Sequence, residues 1–237
     1  MHSSTHHAAL ALVLLLGVVL PARAQAPLPP GFVDAAAVVD GLVVDMRYFG
    51  DNNFVGQRID GYERPRCLLS VPAANALAAI ERDLAANGLG LKVFDCYRPQ
   101  RAVAHFVRWA QRIDDLKHKR EFYPDVDKRD LFKDGYISDR SGHSRGSTLD
   151  LTLVRRADGR ELDMGSPFDF FSPKSWPSDR SVSGEAQKNR ARLAGAIRAA
   201  AFGPTTRNGG TSRWSRNRSR TRISIFRCGE GGALTPR

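Results

Sequence analysis

The stretch that most constrains the fold is Ser141-Gly142-His143-Ser144-Arg145-Gly146-Ser147-Thr148-Leu149-Asp150-Leu151-Thr152-Leu153. Its second half alternates: Ser147, Leu149, Leu151 and Leu153 share one face, and Thr148, Asp150 and Thr152 share the other. That is the period of a half-buried β-strand. Asp150 therefore points off the apolar face. His143 precedes the strand, beyond a Gly146 that lets the chain turn sharply. An imidazole and a carboxylate delivered this way suit a borderline-soft divalent metal such as zinc. By spacing alone the pair is a weak pattern, because most pairs six residues apart bind nothing.

The 237-residue length allows one domain of about 180 residues after processing, enough for a single core. Ala8 to Leu20 is an apolar run of 13 residues followed by Pro21-Ala22-Arg23-Ala24-Gln25. The run is shorter than the roughly 20 residues that span a bilayer, and Ala22-x-Ala24 is an acceptable cleavage site. Residues 1–24 thus read as a secretory signal, despite an n-region with three histidines and no Lys or Arg. The expected mature protein is exported to the periplasm or cell envelope and carries no membrane span. Residues 25–203 form the expected domain, opening on a Pro-rich lead-in.

From Asp45 to Tyr62 the chain reads as an irregular surface loop with aromatic anchors and turns at Asp51-Asn52 and Asp60-Gly61. Val71 to Asn87 has helical periodicity, with Ala73, Leu77, Ile80 and Leu84 inward, Glu81, Arg82 and Asp83 solvated, and Gly88 as its stop. Leu91 to Tyr97 reads as a strand, and Pro99 as the first residue of a helix that buries Ala102, Val103, Phe106, Val107 and Ala110. Arg98 then sits at a strand–helix junction, where a rigid scaffold can aim it, although position alone leaves it a surface arginine. Cys67 and Cys96 are either paired, as export permits, or two free thiols. His105 reads as a packed or half-exposed histidine, and His118 as part of a solvated basic stretch. Ala157-Asp158-Gly159-Arg160 is a turn that lets the chain return as a hairpin. Glu185 to Ala201 is a last helix, with Ala194, Ile197 and Ala201 inward and Leu193 beside them.

Ser-x-His-Ser-Arg-Gly-Ser-x-x-Asp-Leu-Thr-Leu resembles the metal motif of the VanX-type D-alanyl-D-alanine dipeptidases, zinc enzymes related to D,D-carboxypeptidases. The resemblance runs from about Asp45 to Phe202. It implies that His143 and Asp150 are two of three protein ligands to one zinc per chain. Asp95-Cys96-Tyr97-Arg98-Pro99-x-Arg101-Ala102-Val103 resembles the family's second motif, whose first arginine, here Arg98, stabilises the transition state. A guanidinium's planar fork suits the oxyanion formed when water attacks a carbonyl. By the same resemblance Tyr48 and Tyr62 border the substrate, and Ser141 and Asp169 fix the charged ends of D-Ala-D-Ala. Without it, Asp169 is a turn aspartate beside an aromatic pair.

The family pattern next requires Glu-Trp-Trp-His, the Glu as general base and the His as third ligand, and this chain has no such string. From Pro204 onward it carries eight arginines and one acid, Glu230, so seven of the eleven net positive charges fall there. A change of reading frame accounts for this. Asn208 to Trp214 can be encoded so that a start one base earlier gives Glu-Trp-Trp-His-Val-Ala-Leu. The same shift over Ser215 to Cys228 gives an acidic, Pro-rich end closing on Phe-Asp-Phe-Pro-Val. Residues 204–237 thus read as a frameshifted tail, with too few apolar residues to order itself. Its basicity then gives no reason to expect a nucleic-acid partner.

The expected fold is α+β: a small, mainly antiparallel sheet carrying the zinc site, with helices packed on one face. The expected activity is zinc-dependent hydrolysis of D-Ala-D-Ala, impaired in the chain as written. The alternatives are a D,D-carboxypeptidase acting on peptidoglycan-derived peptides and a non-catalytic envelope protein that binds metal or peptidoglycan.

Overall fold

The structure is a computed structural model that describes residues 28–201. The expected signal segment and the basic tail lie outside the described residues. A three-stranded sheet in the order β2-β4-β5 is built from Val43–Val44 (β2), Leu89–Asp95 (β4) and Asp150–Arg155 (β5). β4 pairs antiparallel with β5 and parallel with β2. A separate antiparallel pair joins β1 (Phe32–Asp34) to β3 (Leu68–Ser70). The helices are α1 (Val71–Ala85), α2 (Gln100–Gln111), the short α3 (Lys119–Phe122) and α4 (Gly184–Ala201). α1 packs on β4 and on α4, and α4 reaches β5. The architecture is the expected α+β arrangement.

α1 buries Ala73, Ala74, Leu77, Ile80 and Leu84 as its periodicity requires. Glu81, expected in solvent, is 2% exposed. Its carboxylate accepts the Leu91 N–H at 2.7 Å and pairs with Arg156 at 3.2 Å, pinning the helix to β4. Burial pushes the Glu81 carboxyl up, against these two partners. In α2 Pro99 is the cap rather than the first helical residue, and Trp109 and His105 are buried while Val107 is only half-buried. His105 is packed, accepting the Asp60 N–H at 3.1 Å. In α4 the buried stripe is Ala186, Asn189, Leu193 and Ile197, so Leu193 is central and Ala194 peripheral.

The largest correction concerns Asp45 to Tyr62, read as a surface loop. It has no regular structure beyond one 3-10 turn, yet Tyr48, Phe54, Val55, Ile59 and Tyr62 are all buried. Asn53 makes this possible. Its fully buried amide lies 3.0 Å from the Gly50 and Gln57 carbonyls, and its oxygen accepts from Val55 N and Gly56 N. Backbone groups that would otherwise be stranded in the core are thereby satisfied. Phe54 then packs at tilted angles, with ring centroids about 5 Å apart, against Phe106, Trp109 and Phe171.

The hairpin turn at Ala157–Arg160 forms as expected, closed by Arg155 N–H to Arg160 C=O at 2.9 Å. Ordered β5 is buried on both faces rather than one, since Thr152 is 1% and Asp150 5% exposed. Cys67 and Cys96 form a disulfide.

Candidate active site

Three segments converge at one end of the sheet. β4 delivers Asp95 and, three residues on, Arg98. The loop before β5 delivers Ser141 and His143, and the first residue of β5 is Asp150. Gly146 ends the loop's 3-10 turn with φ +69°, in the left-handed region that glycine tolerates.

Strand alternation alone would not set Asp95 beside Asp150. Val93 pairs with Leu151, but the next register pair is Asp95 with Asp150. Phe94 is therefore an extra residue on β4, a bulge of the kind that re-aims a side chain at the end of a ladder. The result is a buried cluster of Asp95, His143 and Asp150.

These three groups are not equivalent. Asp95 Oδ1 accepts the Tyr62 hydroxyl at 2.6 Å and the Cys96 N–H at 2.9 Å. Its Oδ2 accepts two N–H groups of Arg98 at 2.9 and 2.7 Å. Both carboxylate oxygens are thus committed to donors. Asp95 Oδ2 also lies 3.2 Å from His143 Nδ1, while the Cys96 carbonyl lies 2.9 Å from that same nitrogen. A carbonyl can only accept, so Nδ1 carries the proton and Nε2 has the free lone pair. Nε2 faces Asp150 Oδ1 at 3.5 Å, and that oxygen is buried with no hydrogen-bond partner.

An unsatisfied carboxylate oxygen opposite an imidazole lone pair, both buried, fits a divalent cation. The chain's own residues thus offer His143 and Asp150 as ligands, with Asp95 behind them as support. Burial opposes a charge on His143 most strongly, but the Asp150 and Asp95 carboxylates together outweigh it and raise the imidazole above its ordinary range.

A cavity of about 300 Å³ opens over this pair, lined among others by Tyr48, Arg98, Ser141, His143, Asp150 and Asp169. Arg98 spans it with its guanidinium 5.1 Å from the Tyr48 ring and 5.0 Å from the Phe106 ring. Its charge opposes burial but is held by Asp95, then Tyr48, Tyr62 and Asp150. Ser141 caps the His143 turn, accepting the His143 N–H at 3.2 Å.

Asp169 adopts φ +57°, an outlying conformation for a residue with a side chain. It is 6% exposed and accepts the Tyr48 hydroxyl at 2.7 Å. Burial lifts its carboxyl to about 7, against that hydrogen bond and with help from Asp150. Of the seven residues singled out in the sequence, Tyr62 alone is not among those lining the cavity. Asp95 is the residue that sequence reasoning passed over, and its signal was its place at the head of the string that carries Arg98.

Residues 29–206 match the peptidase family described as D-ala-D-ala dipeptidase. Over 163 residues the chain is 37% identical to the D-alanyl-D-alanine dipeptidase of Enterococcus faecium, covering 69% of this chain and 81% of that protein. The dipeptidase of Streptomyces coelicolor is 37% identical over 171 residues, 72% of this chain and 84% of its own length. That of Escherichia coli is 35% identical over 161 residues, 68% of this chain and 72% of its own length. With a buried His–Asp pair facing a cavity and a match over most of its length, the chain belongs to the metal-dependent peptidase family of the D-Ala-D-Ala dipeptidases.

Proposed function

We propose that this protein hydrolyses D-alanyl-D-alanine with one zinc ion per chain, held by His143 and Asp150. The observation that carries the reading is the orphaned, buried Asp150 Oδ1 set 3.5 Å from His143 Nε2 at the floor of the cavity. When bound, the metal supplies Lewis acidity toward the peptide carbonyl and lowers the pKa of the attacking water. Arg98, already charged and fixed by Asp95, offers N–H donors to the carbonyl oxygen as it gains negative charge. Asp169, ionised, takes the free ammonium of the dipeptide, and the Tyr48 hydroxyl holds that carboxylate in place. Ser141 binds the carboxylate end. A buried acid at the ammonium site favours a free dipeptide over a blocked peptidoglycan stem, because an unpaired carboxylate there is costly.

We further propose that the general base and third ligand belong to the reading frame one base from that of the tail. In support, the family match stops at residue 206, close to the change of composition at Pro204. Residues 1–24 are proposed as a secretory signal, and the Cys67–Cys96 disulfide supports an oxidising compartment. The test is to purify the 237-residue chain and its frame-restored counterpart, then measure zinc content and D-Ala release from D-Ala-D-Ala. The frame-restored chain should bind one zinc and turn over. The chain as written should fall by at least the ~10²–10⁴ attached to a general base. Equal turnover by the two would sink the account of the C-terminus, and no turnover by either would sink the substrate.

A further inference from the structure

Beyond the β4–β5 ladder, the stretch 95–98 and the loop 141–146 touch each other through few direct bonds. His143 Nδ1–H meets Cys96 C=O at 2.9 Å, and Ser144 Oγ–H donates to the Arg98 carbonyl at 2.8 Å. Arg98 N–H reaches the His143 carbonyl only at 3.4 Å. Both segments are also tied to a third body, the small β1–β3 pair, which contributes no residue to the cavity lining.

On the β4 side, the Cys67–Cys96 disulfide joins the residue before β3 to the peptide next to Asp95. Tyr97 N–H donates to the Leu68 carbonyl at 3.0 Å, and the Tyr97 ring meets Phe32 of β1 edge-on at 5.5 Å. On the loop side, Ser70 N–H donates to the Gly146 carbonyl at 2.7 Å, and the Ser70 and Ser147 hydroxyls are 2.8 Å apart. Gly146 lies so close under the Phe32 ring that a Cβ there would overlap it. Cys67 is itself anchored, its carbonyl accepting the Ala35 N–H at 2.8 Å.

We propose that the β1–β3 pair is a clamp, closed by the Cys67–Cys96 disulfide, that positions the metal-ligating imidazole and Arg98, with Cys96 as the positioning residue. The N–H and the carbonyl of Cys96, which belong to the two peptide groups flanking its Cα, support the two functional side chains. Its carbonyl accepts the hydrogen bond from His143 Nδ1–H, which directs Nε2 to the metal, and its N–H donates to Asp95, which holds Arg98. Fixing the backbone on both sides of this one Cα therefore fixes the imidazole tautomer and the guanidinium together. Cys67 and Cys96 are fully buried, so the tether is part of the site's foundation rather than a surface staple. The inference rests on the reading of His143 as a ligand and Arg98 as an oxyanion donor.

The test begins without metal. In the full chain labelled with 15N-histidine, the His143 ring should show a protonated Nδ1 whose proton exchanges slowly with water at pH 8. Loss of the signal in His143→Ala assigns it. Replacing both cysteines (Cys67→Ala with Cys96→Ala) keeps the Cys96 peptide and removes only the tether. Exchange of the Nδ1 proton should then accelerate at least about tenfold, the change in the opening equilibrium that 1.4 kcal/mol produces. Zinc affinity of the frame-restored chain, read by chelator competition, should fall about 10–100-fold, as for other groups behind a ligand. Wild-type protein reduced and refolded with its thiols free should behave like the double variant, and reoxidation should restore it. Ser70→Ala, which leaves the disulfide intact and loosens only the loop side, should give a smaller acceleration. A lower melting temperature with unchanged exchange and zinc affinity would make the disulfide merely structural and overturn the proposal. Should the double variant not fold, unchanged exchange in Ser70→Ala overturns it equally. Failure of the oxidised chain to bind zinc, with exchange still tracking the disulfide, would remove the metal reading and leave the clamp standing.

Discussion

The Oδ1 atom of Asp150 stands 3.5 Å from Nε2 of His143, buried and with no hydrogen-bond partner. A carboxylate oxygen left this way costs about 1–3 kcal/mol or more. A fold retains that cost where a ligand removes it. Asp150→Asn and His143→Ala in the frame-restored chain should each abolish stoichiometric zinc, read by metal analysis after gel filtration, and activity with it. Full zinc content in either variant would remove that residue from the metal site.

Asp95 lies in the same cluster but is already saturated with donors, so its removal should act differently. Asp95→Asn should keep zinc, with affinity lowered by no more than the ~10–100-fold typical of a supporting group. Its kcat should fall further than its KM rises, because Arg98 loses the carboxylate that aims it. Complete loss of zinc in Asp95→Asn, matching Asp150→Asn, would make Asp95 a ligand.

Arg98 should carry transition-state rather than ground-state binding. Arg98→Ala should fold, hold zinc and lose about 10²–10³ in kcat. Arg98→Lys should recover little of this, because an ammonium cannot present the same fork to Asp95 and to an oxyanion. A raised KM with unchanged kcat would make Arg98 a substrate-binding residue instead.

Much of this geometry was legible in the chain. The turn at Gly146 and the strand–helix junction at Arg98 are local signals that the structure keeps, whereas the alternation through Thr148, Asp150 and Thr152 located a strand, at Asp150–Arg155, that is buried on both faces. What escaped is non-local. Asp95 reaches the site because Phe94 is an extra residue on β4, and no periodicity within β4 announces its register against β5. The 45–62 segment lacks a hydrophobic period because its burial comes from one asparagine satisfying a loop backbone, not from a repeating face. Glu81 sat in a charged triplet that read as solvated, yet Arg82 and Asp83 are exposed and only Glu81 turns inward to Leu91 and Arg156. The last case is a charge whose partners lie ten and seventy-five residues away.

Asp169 gives the clearest pH dependence. Its carboxyl is lifted from the ordinary 3.8 to about 7, first by burial and then by the charge of Asp150, with the Tyr48 hydroxyl working the other way. An acid whose folded pKa is raised holds its proton more tightly in the folded state. Its contribution to stability is therefore full below about pH 4 and is lost as pH rises toward 7. At 1.36 kcal/mol per unit the loss is of order 4 kcal/mol. Asp169→Asn should flatten that slope, leaving the variant more stable than wild type at pH 8 by urea denaturation. In the proposed role function runs in the opposite sense, because only an ionised carboxylate would take the dipeptide's ammonium. In the frame-restored enzyme kcat/KM should rise as pH climbs through 7, and Asp169→Asn should lose most of its kcat/KM through KM. The φ of +57° at this residue, worth roughly 1–3 kcal/mol of backbone strain, is consistent with a position kept for binding rather than for folding. An Asp169→Asn enzyme with unchanged KM would show that the ammonium is held elsewhere.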